Sequence, residues 1–184
     1  RVAIALVDQL DMTHARAGLI SFSGAASEDQ VLTDSHDALH TAINSLQAGG
    51  ATNIVAALTA AADHFASNGR GGNVQKVVWF ISDGQQNARF GGDRTAITTA
   101  QDVRTSDGVR IFAVGFDGSS VDTLEAMASA PSSLHAFMGS NLGDIQNRFS
   151  DFCTLVHSPS PPPSPYTPPP PLPPLPPSPP PPAL

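Results

Sequence analysis

Seventeen of the chain's 18 prolines lie in its last 27 residues, SPSPPPSPYTPPPPLPPLPPSPPPPAL (158–184), and only Pro131 precedes them. Proline fixes φ, has no N–H to donate and biases the residue before it toward extended backbone. A run this dense can neither continue a helix nor pair inside a sheet. It predicts a left-handed polyproline II rod with three residues per turn, spanning roughly 80 Å at about 3.1 Å per residue. Residues 1–157 have the opposite character and are long enough for one domain with a single buried core. The chain therefore reads as two units, a core-forming domain over 1–157 and a rod over 158–184.

The formal net charge of −7 belongs to the first unit, because the last formally charged side chain is Asp151. An acidic domain joined to a neutral tail argues against nucleic acid, whose phosphates need a basic surface. No apolar run approaches the length of a membrane span. The sequence holds no Asn-x-Ser/Thr triplet, so any glycan is expected to be O-linked.

Within 1–157, helical and strand patterns alternate. Residues 1–12 space Val2, Leu6, Val7 and Leu10 at helical intervals. ARAGLISFSG (15–24) predicts a buried strand. Residues 34–46 predict an amphipathic helix capped by Asp34 or Ser35, and 52–67 an Ala-rich helix capped by Thr52 or Asn53. VQKVVWFISDG (74–84) is the strongest strand, and VRIFAVGFDG (109–118) is another. Helices are expected over 95–108, 120–130 and 141–153, with an edge strand over 132–140. Short continuous apolar strands between helices predict an α/β fold, a doubly wound, mostly parallel sheet flanked by helices. Ligands of such sheets bind beyond the carboxyl ends of the strands, where Asp83 and Asp117 stand.

Three stretches resemble the von Willebrand factor A domain. GGATNIVAAL (49–58) is similar to its Gly-Gly-x-Thr-Asn loop opening a helix. VVWFISDGQQN (77–87) is similar to its strand ending in Thr/Ser-Asp-Gly, and VRIFAVGF (109–116) to the strand that follows. The resemblance covers about 1–153. It implies a divalent-cation adhesion site built from three loops, in which Thr52 supplies a hydroxyl and Asp83 a carboxylate. Such hard oxygen ligands suit Mg²⁺ or another divalent cation. The family's first loop, Asp-x-Ser-x-Ser after the first strand, has no match here. Either that strand lies upstream of Arg1 or the site has been lost. The alternative roles of Thr52 and Asp83 are a helix cap and a turn stabilised by side-chain bonds to backbone amides.

His36 and His40 sit four apart on one predicted helix face, a spacing that can hold zinc, but no third ligand is evident, and surface histidines are the plainer reading. GRGGN (69–73) and GFDGSS (115–120) lack the Lys-Ser/Thr of a phosphate loop and read as turns. SFSGAAS (21–27) lacks the Gly-x-Ser-x-Gly of a nucleophile elbow, and no triad is found, so an enzyme is not expected. The resemblance implies that the lone cysteine, Cys153, pairs with a cysteine upstream or in another chain. A buried free thiol is the other reading.

The tail resembles hydroxyproline-rich glycoproteins of the extensin and pherophorin kind, from plants and green algae. The resemblance rests on SPPPSP (160–165), TPPPP (167–171) and SPPPP (178–182). It implies hydroxylation and O-linked arabinose or galactose at Ser160, Pro161, Pro162, Pro163, Ser164, Pro165, Pro168, Pro169, Pro170, Pro171, Ser178, Pro179, Pro180, Pro181 and Pro182. It also implies an extracellular setting, in a cell wall, matrix or ciliary surface such as the hair filaments called mastigonemes. Three hypotheses follow. The first is a structural glycoprotein that packs with other copies or with other matrix and filament glycoproteins. The second is a cation-dependent adhesion domain on a stalk. The third, an intracellular ligand of SH3 or WW domains, lacks the basic residue that orients SH3 docking.

On a rod with three residues per turn, Tyr166, Leu172, Leu175 and Leu184 share one edge, since their separations of six, three and nine are multiples of three. This is either an apolar docking edge or an accident of a repetitive sequence. If the edge docks, replacing Leu172 and Leu175 with Ser reduces assembly measured by sedimentation of the full chain. Unchanged assembly removes the docking edge.

Overall fold

In the computed structural model, which describes residues 2–47, 49–72, 74–82, 85–116 and 120–139, the run KVVWFIS forms strand β3 (Lys76–Ser82). It pairs in parallel with β4 (Val109–Gly115) without a register break, from Lys76 opposite Val109 to Ser82 opposite Gly115. A third parallel strand, β5 (Ala136–Met138), pairs with the carboxyl-terminal half of β4. β4 is buried at every position but Arg110, because strands flank both its edges and helices cover both its faces. Period-two alternation sorts its side chains. Ile111 and Ala113 point to one face, and Phe112 and Val114 to the other.

Three helices cover the first face: α3 (Ile54–Asn68), α4 (Gly92–Ser106) and α5 (Val121–Met127). Ile54, Leu58, Ala96, Ala100, Leu124 and Met127 pack there against Phe80, Ile111 and Ala113. Ala96 and Ala100 have no exposed surface, and small side chains at i and i+4 let α4 approach the sheet closely. The other face is closed by α1 (Val2–Val7) through Leu6, which joins Phe112, Val114 and Phe137. Trp79 stacks on Phe112 with ring centroids 4.3 Å apart and planes 9° from parallel.

The sequence expectation omits one strand. β1 (Ala17–Phe22) pairs antiparallel with β2 (Ala26–Thr33), from Ala17 opposite Thr33 to Phe22 opposite Ala26. β2 carries Ser27, Glu28, Asp29 and Gln30 in succession, so it offers no apolar alternation to read. It tolerates them because, among the described residues, it has a strand on one side only. Among the described residues the antiparallel β1–β2 pair is thus a separate ladder from the parallel β3–β4–β5 sheet. Among the described residues β1 and β3 do not pair with each other, and both leave an edge open. Phe22 and Phe80 nevertheless stack at 5.3 Å, and both belong to the core that α3 shares.

Element ends shift as the caps dictate. Ser35, not Asp34, caps α2 (His36–Ser45) by accepting from the Ala38 N–H. α1 stops at Val7, and α4 starts at Gly92, three residues before the expected position. The edge strand expected over 132–140 is a single helical turn, α6 (Ser132–His135), followed by β5. The helix expected over 141–153, together with Cys153 and the rod over 158–184, lies outside the described residues.

The β1–β2 hairpin is held to α3 by a buried histidine. His64 accepts from the Leu32 N–H on Nε2 (3.2 Å), so Nδ1 carries the proton and donates to Glu28 Oε2. Replacing His64 with Ala leaves the Leu32 N–H and the Glu28 carboxylate without this partner. It is expected to cost about 1–3 kcal/mol in a denaturant melt and to speed hydrogen exchange at the Leu32 amide.

Candidate functional site

Three loops meet beyond the carboxyl ends of β1 and β3: residues 23–25, 49–53 and 85–91. Backbone bonds join them. The Asn53 N–H donates to Ser23 O (2.8 Å), and the Asn87 N–H donates to Thr52 O (2.9 Å). Gly50 makes the approach possible. Its φ is +94°, and a Cβ there would lie 2.8 Å from the Ser23 Cβ.

The side chains that brace these loops serve the first turn of α3, whose N–H groups the helix cannot satisfy itself. Asn53 caps it, accepting from the Ala56 N–H (3.1 Å) and donating through Nδ2 to Gly24 O (3.0 Å). Gln86 acts from the neighbouring loop. Its Oε1 accepts from the Ile54 N–H (2.6 Å), its Nε2 donates to Phe90 O (2.9 Å), and its own N–H donates to Asp93 Oδ1 (3.0 Å). The Gln86 side chain is buried. It lies three residues after Asp83 in ISDGQQN, and nothing in its sequence context marks it as a cap for a helix thirty residues earlier.

Thr52 is therefore not the cap of α3. Among the described residues its hydroxyl makes no hydrogen bond, and the residue is half-buried between the loops. A free hydroxyl at this edge fits one ligand position of a hard-cation site. Asp83 and Asp117 lie outside the described residues, each directly after a described strand end or its neighbour, Ser82 and Phe116. Among the described residues no group of three or more His, Cys, Asp or Glu is placed to hold a metal.

The histidine pair does not converge. His36 Nε2 donates to Val7 O (3.1 Å) and His40 Nε2 bonds Asp8 Oδ1 (2.8 Å), with the rings 6.4 Å apart. Both tie α2 to the end of α1. GRGGN begins as the carboxyl cap of α3, where Gly69 donates to Phe65 O. No helix among the described residues is long and apolar enough to cross a membrane.

This parallel sheet between helices, with its loops gathered at the strand ends, is the architecture of a von Willebrand A-type domain. The family profile of the von Willebrand factor type A domain matches residues 1–151, and the chain belongs to that family. No curated protein sequence matches the chain. Proximal thread matrix protein 1 from the mussel byssus shares the fold at TM-score 0.69 and 21% identity, over 84% of this chain and 41% of that one. The same byssal protein with a zinc-occupied MIDAS motif gives 0.65 and 23%, over 84% and 39%. This chain thus spans about two-fifths of the byssal protein's length. The vWF domain of a type V pili tip protein from Porphyromonas gingivalis gives 0.66 and 13% identity, over 84% of each chain.

Replacing Gln86 with Ala leaves the Ile54 N–H and Phe90 O without this side chain. It is expected to destabilise the domain by about 1–3 kcal/mol and to release the 85–91 loop, visible as increased hydrogen exchange at Asn87.

Proposed function

We propose that this protein is a non-enzymatic component of an extracellular assembly, in which the A domain packs against other proteins and the proline-rich segment is a glycosylated spacer. The observation that carries the reading is the braced loop edge. Three loops are fixed to one another through backbone groups, Asn53 and Gln86, and among the described residues the Thr52 hydroxyl takes no part in that network. A pre-formed surface of this kind binds without the entropic cost of ordering its loops. The matrix role of the byssal relative supports the structural setting. The resemblance of 160–165, 167–171 and 178–182 to hydroxyproline-rich glycoproteins supports a hydroxylated, O-glycosylated rod, with Tyr166, Leu172, Leu175 and Leu184 along its docking edge. Other copies, or other matrix and filament glycoproteins of an algal wall, matrix or ciliary hair, are the partners this reading names. Cys153 pairing with another cysteine belongs to the same reading.

The second reading is cation-dependent adhesion. It is favoured by the unengaged Thr52 hydroxyl and by the zinc-occupied MIDAS motif of the byssal relative. Here Thr52 and Asp83 hold the divalent cation, which offers an open position to a partner's carboxylate. The open edges of β1 and β3 support a further strand from upstream of Arg1 that delivers the first ligand loop between them.

Calorimetric titration of Mg²⁺ and Zn²⁺ into an upstream-extended chain separates the two readings. Adhesion predicts saturable heat, a raised melting temperature and at least tenfold weaker binding for Thr52→Ala. That variant is expected to change the apo melting temperature little, since among the described residues the hydroxyl has no hydrogen bond to lose. Absence of heat and of any melting shift removes the cation and leaves the scaffold reading.

A further inference from the structure

At the end of the sheet opposite these loops, where β3 and β4 begin and α4 ends, lies a cleft of about 500 Å³. Arg104 and Arg110 line it together with Gln75, Thr105, Val109 and Ser129. Arg104, in the last turn of α4, reaches the carboxyl end of α5, where its Nη1 donates to Met127 O (3.2 Å) and to Ala128 O. These are carbonyls that α5 leaves unpaired, and the cation also complements the negative end of that helix.

Two backbone carbonyls compensate a guanidinium only in part. Burial pulls the Arg104 pKa below its ordinary value by desolvation, yet a guanidinium remains charged in proteins. A partly buried charge is normally matched by an opposite one, but every ion pair among the described residues joins a histidine to a carboxylate, and none involves an arginine. Asp102 and Asp107, at the same end of α4, are exposed and pair with neither arginine. Arg110 is the one position of β4 that is not buried, and its guanidinium has no hydrogen bond or ion pair among the described residues. Two like charges are thus brought to one cleft in a chain that has only nine basic residues against sixteen acidic ones.

We propose that this cleft binds a carboxylate of an acidic protein segment, with Arg110 as the bidentate donor and Arg104 as the second positive charge. Guanidinium and carboxylate match in plane and in spacing, so the pair forms two parallel, charge-assisted bonds. Thr105 does not compete, because its hydroxyl donates to Gln101 O, and the Ser129 hydroxyl accepts from the Ile111 N–H and keeps its proton to donate. The proposal rests on the reading of the domain as a protein-packing module. It uses the opposite end of the sheet from Thr52, so the cation titration and the test below fail independently.

The test is calorimetric titration of poly-L-glutamate into the full chain at low salt, with dextran sulfate in parallel. Saturable poly-L-glutamate binding is expected, at least tenfold weaker for Arg110→Gln and for Arg104→Gln. Arg110→Gln should keep the parent melting temperature because Arg110 gives up no bond within the fold, whereas Arg104→Gln also uncaps α5. Absent binding, or equal binding by the parent chain and Arg110→Gln, overturns the site. Arginine-dependent binding of dextran sulfate alone overturns the carboxylate assignment.

Discussion

The first turn of α3 presents backbone N–H groups that no residue of the helix can accept, and Asn53 and Gln86 accept them from two different loops. Much of the arrangement at this end of the domain follows from that requirement. Gln86 must be buried beside Ile54, which pins the segment after β3. Asn53 must face Ala56, which turns its amide toward Gly24 and pins the segment after β1. Thr52, displaced from capping by its neighbour, makes no side-chain hydrogen bond among the described residues. A need of the backbone thus prepares a surface suited to a partner.

α3 also unites two sheets that do not pair among the described residues. The β1–β2 hairpin and the β3–β4–β5 sheet share no strand contact among the described residues, yet they meet at its side chains. Phe22 stacks on Phe80 within the core that contains Ile54, Ala57 and Leu58, and His64 ties β2 from the far end of the same helix. β1 has no fully buried residue and most of β3 is half-buried, although both sequences are apolar enough to lie at the centre of a sheet. Strands of that composition with an open edge remain able to pair.

The two ends of the sheet differ in chemistry. The loop end presents backbone and side-chain amides held in place by hydrogen bonds, with the Asp93 carboxylate among them. The opposite end gathers two guanidinium groups that form no ion pair among the described residues.

Residue order alone predicted the alternation of helices and strands and a mostly parallel sheet, because these depend on local periodicity and on short continuous apolar runs. It also placed Thr52 at a loop, through the Gly-Gly-x-Thr-Asn pattern. Only the tertiary structure decided that β2 is a strand, since its run of polar residues is tolerated by an edge and carries no pattern of its own. Tertiary structure likewise chose Asn53 over Thr52 as the cap and recruited Gln86 from 32 residues away. It also brought Arg104 and Arg110 to one cleft. These are matters of which unsatisfied groups meet in space, and a sequence does not state its own distances.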